Sequence, residues 1–147
     1  MRRPREAEVP REVRLALERV LQAPVAGVRV IEHSWLARLH GRAVATTRPG
    51  RIYLRGSAQD FFANPDLLLH EYCHVIRQWQ RGTLTLPRYL MECLRRGYWH
   101  NRFEIEARTF AQRHLARLHA ELARASAEER LAPVEPRGER HQHRPEH

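Results

Sequence analysis

The sequence predicts a small α+β fold in a single domain, and three stretches carry that expectation. "AVATTRPGRIYLRG" (residues 43–56) sets two β-rich runs on either side of a Pro-Gly turn. "ANPDLLLHEYCHVIRQW" (residues 63–79) opens on helix-capping residues and continues as a mostly apolar helix. "NRFEIEARTFA" (residues 101–111) begins a long helix with one apolar stripe. At 147 residues the chain can bury one core of modest volume, which leaves little room for two independent domains.

Taken in order, residues 1–10 read as a polar lead-in to a domain spanning 11–125. From Arg11 to Gln22, Val13, Leu17, Val20 and Leu21 recur at helical spacing, and Pro24 ends that helix. "VRVIEHSW" (28–35) has the β-branched content of a strand, while Trp35 to Leu39 can also start a short helix. In the hairpin that follows, Pro49 presets φ at one turn position and Gly50 accepts positive φ at the next. Asn64 is a good N-cap, Pro65 occupies a first-turn position that tolerates a missing N–H, and Asp66 suits the positive end of the helix. Gly82 closes that helix. A further helix is expected from Pro87 to Arg96. The long one, from Asn101 to about Ala125, carries Phe103, Ala107, Phe110, Leu115, Leu118 and Leu122. After Ser126 the apolar content collapses, so residues 126–147 are expected to form a disordered Arg/His-rich tail. Its His141, His143 and His147, with Glu135 and Glu139, could scavenge metal.

Composition bounds the partners. No stretch reaches the roughly 18 apolar residues of a membrane span, and "MRRPREAEVP" is too polar for a signal peptide, so a cytoplasmic location without a membrane partner is expected. Export by a dedicated system is compatible with that. Two cysteines, Cys73 and Cys93, are too few for a disulfide framework and read as packed free thiols. All 26 basic residues are Arg, a uniformity that points to coding bias as one source of the +9 charge. That charge favours acidic partners, but with few aromatics and no recognised binding motif it does not argue for specific nucleic-acid binding.

The chemistry concentrates in "HEYCH", residues 70–74. Residues four apart on a helix lie about 40° from each other around the axis, so His70 and His74 can close on one ion. Glu71 lies beside the pair. On an ideal helix His70, Glu71, His74, Arg77 and Gln78 share one side, and Leu68, Leu69, Tyr72, Val75, Ile76 and Trp79 the other. This spacing is the HExxH signature of zinc peptidases, in which two imidazoles bind the metal and the glutamate takes a proton from water. A third ligand is then required from a later element. The long helix offers Glu104 and Glu106. Glu104 falls on the line of Ala111, Leu115 and Leu122 at the edge of the apolar stripe, and Glu106 points about 160° away. Glu104 is therefore the inward carboxylate, although Asn101 followed by Glu104 also has the spacing of a capping box.

HExxH followed by "FEIEARTFA" resembles the gluzincin arrangement, in which a glutamate on a downstream helix is the third zinc ligand, here Glu104 three residues before Ala107. Residues 28–115 further resemble the zincin-like domain of unknown function associated with extracellular contractile injection systems. The resemblance implies a small zincin fold with a short antiparallel sheet or hairpin, an HExxH active-site helix and a long C-terminal ligand helix. It also implies Zn2+ held by His70, His74 and Glu104, Glu71 as general base, and an edge strand near the cleft able to pair with an extended peptide. The chain departs from many relatives in Tyr72-Cys73 and in Arg108, where some related families place Asp, so support for the ligand histidines must come from elsewhere. Tyr98, His100 and Arg102, just ahead of the ligand helix, are candidates for oxyanion or substrate contacts. Two functions follow: an endopeptidase acting on a peptide or protein substrate, or a non-catalytic zincin-like module that docks an acidic protein or nucleic acid.

Overall fold

The computed structural model describes residues 2–38 and 43–133. Four strands, β1 (Arg5–Ala7), β2 (Arg29–Glu32), β3 (Ala45–Arg48) and β4 (Arg51–Leu54), form one sheet in the order β1-β2-β4-β3. Six α-helices accompany it among the described residues: α1 (Arg11–Leu21), α2 (Trp35–Arg38), α3 (Ala58–Phe62), α4 (Pro65–Tyr72), α5 (Leu86–Arg96) and α6 (Arg102–Leu131). The expected α+β class is present.

The sheet is mixed rather than antiparallel. β3 and β4 form the expected hairpin, with Arg48 opposite Arg51 and Gly50 at φ 69° in the turn. β2, however, pairs with β4 in parallel, Val30 beside Ile52. The polar lead-in is also not a mere lead-in, because Arg5–Ala7 pair antiparallel with β2 as an edge strand. Polar composition suits that place, since an edge strand needs few apolar residues and benefits from charges that discourage further pairing. Arg5 and Arg29 form ion pairs with Glu32 and Glu6 across the two strands.

The core lies between the inner face of the sheet and helices α1, α4 and α6. Val30, Ile52 and Leu54 of the sheet are buried with Leu17 of α1, Leu68, Leu69 and Tyr72 of α4, and Ala107 and Leu118 of α6. α6 packs on both α1 and α4. Small side chains at Ala107 and Ala111, both buried, permit close approach of the neighbouring helices.

Two helix expectations change. Asn64 caps α4 through Leu67 N–H, and Pro65 starts it, but the α-helix gives way at Cys73 to a π-helical segment over Cys73–Trp79. Gln80 N–H accordingly reaches back five residues to the Val75 carbonyl. α6 runs to Leu131 rather than Ala125, so residues 126–131 belong to the helix and not to a tail. Arg19 of α1 reaches this stretch, its guanidinium bonding to both Glu121 and Glu128, and Ala125 is buried. The tail residues Glu135, Glu139, His141, His143 and His147 lie outside the described residues.

Candidate metal centre

α4 and its π continuation supply the two histidines, and the first turn of α6 supplies the carboxylate. His70 Nε2 lies 2.9 Å from Glu104 Oε2, His74 Nε2 lies 3.4 Å from Glu104 Oε1, and the two imidazole Nε2 atoms are 3.2 Å apart. The ligand atoms of the three residues fall within 4.8 Å of one another. Glu106 is exposed and lines a separate depression with Arg77, Thr109 and Arg113, so helical geometry separates the two glutamates as expected. Glu104 does not cap its helix. Asn101 does so alone, its side chain accepting from Phe103 N–H, which frees the carboxylate to face the histidines.

His74 and Glu104 are held from behind. His74 Nδ1 is 2.7 Å from Gln78 Oε1, and Gln78 Nε2 donates to the Phe103 carbonyl at 2.9 Å. A carbonyl can only accept, so the amide orientation is fixed and Gln78 Oε1 must accept from an Nδ1–H of His74. Nε2 then keeps its lone pair for a metal. This is the outer support that a ligand histidine requires, and it comes from within the same helix rather than from position 108. On the other side, the Tyr89 hydroxyl of α5 donates to Glu104 Oε1 at 3.0 Å. Tyr89 is itself pinned, since Asn101 Nδ2 donates to its carbonyl.

The π-helical segment changes which side chains share the site. Gln78 is fully buried beneath His74, whereas Arg77 has turned away to lie over the Phe110 ring at 4.9 Å. Trp79, expected on the apolar back, instead lines the cleft and donates from Nε1 to Thr47 of β3 at 3.1 Å. A widened turn rotates every residue after Cys73 relative to an ideal α-helix, and that rotation accounts for both differences.

Burial sets the electrostatics. It drives the Glu71 carboxyl above the ordinary carboxylate range, against the opposing pull of His74 and His70. Burial would also raise Glu104, but hydrogen bonds from His70 and His74 outweigh it and hold that carboxyl well below the usual range. For His74 burial works downward, yet the hydrogen bond and charge of Glu104 prevail and raise it to about 9. A metal therefore competes with a proton for His74 Nε2. Burial and the Glu104 charge push the Tyr89 hydroxyl up, which keeps it a donor.

The cleft beside these residues has a volume of about 230 Å³ and is walled by β3 on one side and by Leu84, Leu86, Tyr89 and Leu90 on the other. Glu71, His74 and Glu104 reach it. Of the three candidates for oxyanion or substrate contacts, Tyr98 lines this cleft and the adjoining depression next to His70 and Glu71. Arg102 does not. It lies over the Phe103 ring at 4.7 Å and 3.8 Å from Glu92. His100 is exposed in the turn and lines neither depression.

Sequence reasoning missed Gln78 and Tyr89 as supporting residues. The i, i+4 spacing of His74 and Gln78 was a usable signal, whereas Tyr89 arrives from another helix and has none. The donor set fits zinc: two imidazole nitrogens and a carboxylate oxygen converge, with His74 and Glu104 backed by fixed partners. A scan against protein-family models and searches of curated proteins and solved structures find no match to this chain.

Proposed function

We propose that the chain is a zinc-dependent endopeptidase of the HExxH-plus-glutamate type. The convergence of His70, His74 and Glu104, with Glu71 on the same cleft, carries this reading. Those three residues would hold the ion. Zinc, when bound, supplies Lewis acidity toward a substrate carbonyl and toward water.

The chain's own residues supply the remainder. Gln78 keeps His74 in the tautomer that presents Nε2, and Tyr89 keeps Glu104 from swinging away. Glu71 acts as general base and then as general acid, taking a proton from the attacking water and delivering it to the leaving amine. A carboxyl raised by burial suits both roles better than an ordinary one, because its basicity lies nearer neutral pH. Tyr98, at the mouth of the cleft, can donate to the carbonyl oxygen as charge develops there. β3 is an edge strand along the cleft wall, so an extended peptide can pair with its free edge while a side chain enters the apolar pocket.

The competing reading is a zincin-like module without turnover. Structural zinc sites close with four protein ligands, and among the described residues the cluster has three, which favours a position open to water and substrate. The test begins with metal content in a chain carrying His141→Ala, His143→Ala and His147→Ala, purified without a His-affinity step. About one zinc per chain is expected, lost or weakened in Glu104→Ala. Glu71→Gln should retain the metal and lose cleavage of a denatured protein substrate by about a hundredfold or more. Cleavage that survives in Glu71→Gln would sink the mechanism.

A further inference from the structure

α5 is built inside out. At about 100° per residue, Leu86, Leu90, Leu94 and Met91 fall on one arc of the helix, with Arg88, Arg95, Arg96 and Glu92 on the other. In a soluble domain such an arc faces the core. Here Leu90, Met91 and Leu94 are 53%, 50% and 84% exposed, while Glu92 is 9% exposed. Tyr98 and Trp99, just past the helix, extend the exposed surface, and Val44 adds to it from across the cleft mouth. Exposed apolar surface on this scale marks a binding face.

The charges around it have one sign. Arg95 and Arg88 follow Met91 around the helix and border the arc, Arg108 lies over the Trp99 ring at 4.2 Å, and the single acidic residue of α5, Glu92, is engaged by Arg96 and Arg102 at 3.8 Å each. The arc is a ridge with Leu94 at its crest. A ridge of leucine and methionine bordered by arginines and ended by a Tyr-Trp pair matches the chemistry of a lipid surface: an apolar layer under anionic headgroups, with aromatics at the boundary. Arginine stems can cover apolar surface while their guanidinium groups stay at headgroup level.

We propose that α5 is an interfacial helix that docks the protein on an anionic membrane surface, with Leu90, Met91 and Leu94 inserted and the flanking arginines at the headgroups. The expectation of no membrane partner rested on the lack of a spanning segment, and no described helix is long and apolar enough to span. Lying on a surface requires neither. The inference stands apart from the metal site. Where both hold, the cleft mouth, which shares Leu90 and Tyr98 with the docking face, opens toward polypeptide at the membrane surface.

The test is co-sedimentation of the full chain with vesicles of phosphatidylcholine alone and of phosphatidylcholine with phosphatidylglycerol. Binding to the anionic vesicles, weakened by salt and accompanied by a blue shift of tryptophan emission, is expected. Met91→Ser with Leu94→Ser leaves the charge unchanged and should lower partitioning roughly tenfold or more. Circular dichroism and zinc content verify that the variant is folded. Equal binding by variant and wild type would reduce the effect to charge and overturn the proposal. Failure to bind vesicles, with capture instead by an acidic amphipathic peptide that the variant loses, would overturn it in favour of a protein partner.

Discussion

Replacing Gln78 with leucine is expected to weaken zinc binding by about 10–100-fold, because His74 loses the acceptor that fixes its tautomer and the Phe103 carbonyl loses its donor. A competition titration against a chelator measures the loss. Tyr89→Phe removes one hydroxyl from Glu104 Oε1 without opening a cavity, so it should shift metal affinity in the same direction and leave the melting temperature nearly unchanged. The two cysteines should also differ. Cys73 is fully buried and its thiol is pushed up to about 12 by burial, so it should react with a thiol reagent only on unfolding, while the partly exposed Cys93 reacts in the native state. At this scale the sequence was most legible where one helix carried the whole pattern. His70, His74 and the inward Glu104 follow from helical angles alone. Tyr89 does not, because its partner is on a different helix and only tertiary placement brings them together.

α6 is the element on which the others depend, since it packs on α1 and α4 and carries Glu104 of the candidate site. Leu118→Ala, at a fully buried position, should cost about 2–5 kcal/mol, read as a lower urea midpoint. The ion pairs of Arg19 with Glu121 and Glu128 near its far end are partly open to solvent and should contribute little, and less still at high salt. The hairpin and the start of α4 were readable, because Pro49-Gly50 and Asn64-Pro65 act through local backbone chemistry. The π-helical segment was not, since seven residues from Cys73 to Trp79 have no composition that distinguishes a wide turn from an α-helix. Nor was the parallel pairing of β2 with β4, which depends on the register of strands far apart in the chain.

At the scale of the molecule, Glu32 joins the N-terminal strand to the body of the fold. Its carboxylate accepts from Ala58 N–H at 2.9 Å and from Arg5 at 2.7 Å. The Ala58 hydrogen bond, with Arg5 assisting against the effect of burial, holds the group below its ordinary value. A carboxyl lowered on folding contributes stability that is complete above its unfolded value, about 4.3, and lost as pH falls through the folded one. Glu32→Gln should therefore melt below wild type at neutral pH, and the gap should close as the pH is taken down past about 4. Thermal melts across that range decide it. β1 itself was hidden in the sequence, because "REA" has no strand character until β2 is beside it. The same dependence on distant partners has a temporal side. Synthesis delivers His70 and His74, on α4 and its π continuation, well before Glu104, and α1 waits for α6 to cover its apolar face. A nascent chain that stops short of α6 holds two members of the candidate site on an unfinished core, so on the proposed reading a metal can be gripped by all three only once α6 has emerged and packed.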